Sequence, residues 1–348
     1  MKKYFVFGLI IIFLFSCTKK EDIKKIGEMK VLNKTKMEKE NDYISLLEIG
    51  DNFLGFGMNN KMINIFNKEG EIIFTYKKIG KGPGEYTDNN NLQILGKLNN
   101  KLYTLCGDLQ KIMIFDIIDN KKLEYIDEYY MNDGQVGNGN IRNGKIYLST
   151  LIADKQVLEY NSICELSNSY ISKEKKSFRN MNANEIKKFL VNSVYIPYFR
   201  GDRIILLGVL NNRLKIYERK DKKYSLISDK KIVLLNKDMY KSETRENKNR
   251  KSISIQTKGY IGSKVKNDRI LIAFCPEGSK KSYVVSYDYE GNYLGSYILE
   301  DSEEYNIGFC YFVENSNEFY FVKSYKKDDN DNFEEDNSIL YRAKLVKN

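Results

Sequence analysis

The sequence predicts an all-β fold: a six-bladed β-propeller of four-stranded antiparallel blades, closed by an N-terminal strand. Three observations carry this. Tight Asn/Asp/Gly turns lead six times into an apolar, aromatic run. A strand and a charged turn follow each run. Helical periodicity appears in one place only.

The turn-led runs are DNFLGFG from Asp51, NNKLYTL from Asn99, NGKIYLS from Asn143, GDRIILL from Gly201, NDRILIA from Asn267 and NEFYFVK from Asn317. A tight polar turn feeding an apolar strand is a hairpin signal. After a second loop come MINIFNKEGEIIF, IMIFDIIDNKKLEYI, VLEYNSICELSNSYI, LKIYERKDKKYSLI and YVVSYDYEGNYLGSYI, each a strand, a charged turn and a strand. The sixth unit has only SILYRAKL before the chain stops, so it lacks a strand. EMKVLN, Glu28 to Asn33, supplies it by folding back, and the ring hides its sheet edges by radial repetition. The helical exception is NANEIKKFLVNS, Asn182 to Ser193.

The N-terminus, MKKYFVFGLIIIFLFSC, has two lysines, an apolar run from Tyr4 to Phe15, and Ser16 before Cys17. That run falls short of the roughly 20 residues that span a bilayer, and it reads as a cleaved export signal. Leu14 to Cys17 resembles the lipobox of bacterial lipoproteins. The resemblance implies a signal peptide at 1–16, a lipidated Cys17, a tether over 17–27 and a propeller over 28–348. It also implies a cell-envelope location on the inner or outer membrane, facing periplasm or cell surface. An uncleaved anchor with an incidental Cys is the alternative.

The chain is basic, +10 overall. Without Lys2 and Lys3, 55 Lys and Arg against 47 Asp and Glu leave +8. The lysines are scattered among Asn, Ile and Tyr with no aromatic-interleaved basic run, so no nucleic-acid partner is expected. Cys106, Cys164, Cys275 and Cys310 share no CxxC spacing; they read as buried thiols, although an exported chain permits disulfides. No linker-like stretch divides the chain, and 42% hydrophobic residues suffice for a core.

IGKGPGEY, Ile79 to Tyr86, has glycines that allow positive φ and a proline that fixes one. It departs from G-x-G-x-x-G at Glu85 and lacks a P-loop, so it reads as a structural corner leading from the outer strand of the first blade to the inner strand of the second. Gly80, Gly82, Pro83, Gly84, Glu85 and Tyr86 match, without a gap, the G-x-G-P-G-E-[YF] segment of the bacterial six-bladed β-propeller lipoproteins, relatives of the NHL and TolB-type propellers. The chain resembles that family in repeat pattern over 28–348.

In a blade with strands A to D from the axis outward, the A–B and C–D turns share one face, and the B–C loops and D-to-A crossings share the other. The long segments, 173–192, 237–257, 275–282 and 326–337, all belong to the second set, which marks that face as a binding surface for an unknown protein or glycan. Part of its rim is basic: Lys173, Lys175, Lys176, Arg179, Lys187 and Lys188 in one crossing, and Lys237, Lys241, Arg245, Lys248, Arg250 and Lys251 in the next. From Asp328 the chain alternates as D-x-N-x-N, but Phe333 and Ile339 replace the Gly and Glu of a calcium loop, so a solvated hairpin tip is expected.

The absence of His removes Ser-His-Asp and Cys-His chemistry. No catalytic set, metal site or cofactor is expected, and the chain reads as a binding or scaffold module. The alternative is a calcium-dependent, lactonase-like hydrolase, for which Glu48 and Asn138 on inner strands are the only candidates.

Overall fold

A computed structural model describes residues 23–37, 43–57, 61–87, 92–131, 136–151, 154–173, 181–208, 210–221, 223–233, 240–247, 250–257, 260–266, 268–275, 281–300, 305–313, 316–325 and 339–348. Strand β1, Lys25–Lys36, comes first. Blade one is β2 (Tyr43–Ile49), β3 (Asn52–Gly57), β4 (Met62–Phe66) and β5 (Ile72–Tyr76). Blade two is β6 (Leu92–Leu98), β7 (Lys101–Cys106), β8 (Lys111–Ile118) and β9 (Lys122–Tyr130). Blade three is β10 (Val136–Arg142), β11 (Lys145–Thr150), β12 (Lys155–Tyr160) and β13 (Leu166–Ser172). Helix α1, Ala183–Ser193, precedes blade four: β14 (Ile196–Arg200), β15 (Arg203–Gly208), β16 (Arg213–Lys220) and β17 (Lys223–Lys231). A hairpin, β18 (Tyr240–Asn247) and β19 (Arg250–Thr257), follows. Blade five is β20 (Tyr260–Val265), β21 (Ile270–Phe274), β22 (Lys281–Tyr287) and β23 (Tyr293–Glu300). Blade six begins with β24 (Tyr305–Phe312), β25 (Glu318–Tyr325) and β26 (Ile339–Lys347).

Blades one to four are separate four-stranded antiparallel sheets in chain order. Blade six takes β1 as its fourth strand: β1 runs antiparallel to β26 from Gly27 opposite Lys347 to Lys36 opposite Ile339, with an irregularity between Val31 and Asn33. The closing strand is longer than the Glu28–Asn33 stretch expected, and it starts inside the segment assigned to a tether. It also pairs in parallel with β23, Lys25 to Glu28 against Ser296 to Ile298, and so merges blades five and six into one eight-stranded sheet.

The runs read from the sequence are the B strands, and their burial explains why they are continuous rather than alternating. Phe53 to Gly57 in β3, Leu102 to Cys106 in β7 and Ile204 to Gly208 in β15 are buried without interruption, because both faces of a B strand meet a neighbouring blade. The core is therefore a ring of inter-blade clusters rather than one central mass. Leu54, Phe56 and Ile63 of blade one pack on Leu102, Met113 and Phe115 of blade two. Tyr43, Phe53 and Phe66 pack on Tyr320, Val322 and Leu340 of blade six, which closes the circle. Each fully buried Phe, Leu or Ile contributes about 1.5–3 kcal/mol.

Helix α1 starts where its capping residues place it. The Asn182 side chain accepts a hydrogen bond from the Glu185 N–H at 3.0 Å, and Glu185 Oε2 accepts from the Asn182 N–H at 2.8 Å. The stretch 237–257, expected as a loop, holds the β18–β19 hairpin, paired from Tyr240 opposite Thr257 to Asn247 opposite Arg250. Its charged sequence lacks apolar alternation, so backbone pairing carries it without a periodic signal. Cys106, Cys164, Cys275 and Cys310 are free thiols. Burial pushes the Cys164 thiol up to about 12 and Cys310 well above its ordinary value, which makes both poor nucleophiles.

Candidate functional site

The corner at Ile79–Tyr86 is held from within. The Gly80 N–H donates to Tyr86 O and the Tyr86 N–H to Lys78 O, both at 3.0 Å, so the loop closes on itself. Glu85 Oε2 accepts the Gly82 N–H at 2.7 Å. Blade two completes the clamp: Lys111 Nζ donates to Gly82 O at 3.0 Å and to Glu128 Oε2 at 2.7 Å, while the Gly84 N–H donates to the same Oε2 at 3.0 Å. Tyr76 Oη donates to Gly84 O at 2.8 Å, and Tyr86 Oη to Lys61 O at 2.8 Å.

Glycine is required at two of the three positions. Gly84 has φ +70°, and a β-carbon there would lie 2.9 Å from Tyr76 Oη and 3.0 Å from the Tyr125 ring. A β-carbon on Gly80 would collide with the Glu85 carboxylate. Gly82, expected to share the positive φ, does not. Pro83 restrains the turn between them instead. Burial raises the Glu128 carboxyl, but hydrogen bonds from Lys111, the Gly84 N–H and Tyr130 outweigh it and hold the group below its ordinary range. Glu85 thus commits Oε2 to the corner's own backbone.

The face with the crossings and B–C loops presents α1 and the β18–β19 hairpin side by side; α1 lies against β19. Lys187 and Lys188 are on α1. Lys175, Lys176 and Arg179, the loops over 276–280 and 326–337, and Cys17 lie outside the described residues. Lys173, at the root of the first crossing, turns inward: its Nζ donates to Thr150 O at 2.6 Å and Leu151 O at 3.0 Å. Burial lowers its pKa to about 8, so it holds its proton less firmly than an exposed lysine does.

Glu48 and Asn138 are not brought together. They lie on β2 and β10, with β6 between these inner strands. The charge of Glu48 acts on Lys68, Tyr320 and Arg342, toward blade six. The Asn138 N–H donates to Ser149 Oγ at 3.2 Å, within its own blade. Among the described residues no three His, Cys, Asp or Glu side chains are grouped to hold a metal ion.

Residues 31–205 match the family DUF5128, described as a 6-bladed beta-propeller. The chain belongs to this family.

Two solved propellers resemble it in fold. One, from Bacteroides fragilis, has a name that assigns it to export; it is 15% identical, covers 94% of this chain and 98% of its own, and has a TM-score of 0.51. The other, a DUF4221 family member from Bacteroides vulgatus, is 10% identical, covers 93% and 100%, and has a TM-score of 0.52. The calcium-binding protein regucalcin from Agrobacterium tumefaciens is 11% identical over 92% and 96%, with a TM-score of 0.47. No curated protein sequence matches the chain.

Reasoning from sequence missed charges on the opposite, short-turn face. There the Arg200 guanidinium stacks 4.4 Å from the Tyr289 ring and donates to Tyr289 Oη and Lys266 O. Arg142, at the end of β10, has a charge that acts on Tyr198 and Tyr289, and it has no hydrogen-bond or ion-pair partner among the described residues. Arg142, Arg200 and Lys266 come from three consecutive blades and converge at the A–B turns. In sequence each is a solitary cation beside a turn, indistinguishable from a solvated one.

Proposed function

We propose that this propeller is an envelope-associated binding module, attached at its N-terminus, that engages a protein or glycan with the face bearing the crossings and B–C loops. The observation that carries the reading is polarity. β1 begins at the short-turn end, beside Lys347 and Ser296, whereas the four long segments gather at the other end of the strands. A rigid ring that positions its long loops away from the attachment point is suited to presenting them. The apolar N-terminal run before Cys17 and a fold shared with a propeller named for export support the location. The surroundings of Glu48 and Asn138 give no observation that favours the calcium-dependent hydrolase.

The test is capture from glycan arrays and envelope extracts by the wild-type chain and by a variant carrying Lys187→Glu and Lys188→Glu. A bound molecule that the variant loses, at unchanged melting temperature, is the expected result. Stoichiometric calcium in the purified protein, lost on Glu48→Gln, would overturn the reading in favour of the hydrolase.

A further inference from the structure

The seam between blades five and six keeps like charges face to face. Lys30 of β1 lies directly opposite Lys344 of β26, a cross-strand arrangement that destabilises a sheet. Neither lysine has an ion-pair or hydrogen-bond partner among the described residues. With Lys347 and Arg269 they line an open cavity of about 670 Å³, and the acids at hand are engaged elsewhere: Asp268 by Arg269, Glu28 by Lys25, and Glu318, which lies opposite Lys344 on β25, by Arg342. Leu32, 44% exposed, and Val346, 40% exposed, share the lining, so aliphatic groups stand beside unpaired cations.

The position of this cavity is decisive. Arg269 and Asn317 belong to A–B turns, and β1 enters beside them, so the cavity opens on the short-turn face where the N-terminal segment arrives. The apolar run ends at Phe15, and Cys17 follows. Whichever meets a bilayer, at most eight residue steps lead from it to Ile23, a reach of about 29 Å. Running back along one blade to the long-loop face consumes about as much, since β26 alone has nine residues, or about 30 Å. A tether of that reach favours contact through the short-turn face, where β1 enters.

We propose that the Lys30–Lys344–Lys347 cavity receives the phosphate of an anionic phospholipid headgroup, and that it docks the short-turn face flat on the membrane with the long-loop face pointing away. The inference rests on the reading that residues 1–17 attach the chain to a membrane. A headgroup phosphate neutralises the facing lysines, and Leu32 and Val346 meet the upper acyl region. A basic patch beside an N-terminal anchor adds attraction to an anionic membrane surface and orients the domain on it.

The test uses the full chain reconstituted in phosphatidylcholine nanodiscs with or without phosphatidylglycerol, read by amide hydrogen exchange. Phosphatidylglycerol is expected to slow exchange several-fold in residues 25–36 and 339–347 and to leave α1 unchanged. Lys30→Glu should abolish the slowing without lowering the melting temperature, because it turns a repulsive cross-strand pair into an attractive one. Slowing at α1 instead would reverse the orientation and overturn the proposal. Equal slowing by inorganic phosphate in phosphatidylcholine alone would make this a free-anion site and overturn the lipid assignment. A wild-type chain recovered in the soluble fraction removes the membrane, and with it this inference. A membrane-bound chain blind to phosphatidylglycerol removes the headgroup site alone.

Discussion

The corner between blades one and two and the seam between blades five and six both place lysines where chain segments cross, yet they treat the charge in opposite ways. At the corner, Lys111 is fully buried and its ammonium is spent on Glu128 and Gly82 O. At the seam, Lys30 and Lys344 are exposed and face each other. A charge whose partners are all internal holds the fold together. The seam lysines make no ion pair among the described residues, since Glu318, opposite Lys344 on β25, is engaged by Arg342, and this leaves their charge open to a partner outside the chain.

The largest expected effect tests the seam as structure. Removing residues 23–36 takes away the strand that joins two blades and buries Met29, with Ile26 and Val31 partly covered. At about 1.5–3 kcal/mol for the buried Met29 and less for each partly covered side chain, the loss reaches about 5 kcal/mol or more once the two newly exposed edges are counted. An unchanged melting temperature would show that β1 is a passive tail.

Next is the buried pair at the corner. Glu128→Gln leaves the Lys111 ammonium buried without its counter-charge, and about 3–5 kcal/mol of stability should go in a denaturant melt at neutral pH. The folded-state pKa of Glu128 is lowered, so its contribution is fully present above the ordinary value near 4.5 and fades as the pH falls through the folded value. The gap between wild type and variant should therefore close in acid; a gap independent of pH would assign the effect to packing.

The smallest of the three changes tests the backbone of the corner. Gly84→Val forces a β-branched residue to φ +70° against Tyr76 and Tyr125, at a cost of about 1–3 kcal/mol. A variant as stable as wild type would mean that the corner is not strained, and would reopen Ile79–Tyr86 as a ligand contact.

Much of this was legible in the chain. The turn-led B strands, the helical stretch from Asn182, the corner and the face carrying the long segments each follow from neighbours close in sequence, where turn chemistry and apolar runs suffice. Three features were not. The parallel pairing of β1 with β23 joins residues about 270 positions apart and leaves no periodicity. The Lys111–Glu128 pair links the start of one strand to the end of the next, and a lysine opening an apolar run reads as a turn residue. The β18–β19 hairpin has too little apolar alternation to announce itself.

The sequence by itself determined the repeat, hence six blades, their strand order and the end of the ring at which each loop emerges, because these follow from local turns and strand polarity. Only the tertiary structure decided which charges are neutralised and which are left facing each other. Lys111, Lys30 and Lys344 are the same residue in similar strand contexts. What separates them is the partner: Glu128 on the adjacent strand of the same blade lies within 3 Å of Lys111, whereas ring closure sets Lys30 against Lys344, and Glu318 opposite Lys344 is taken by Arg342.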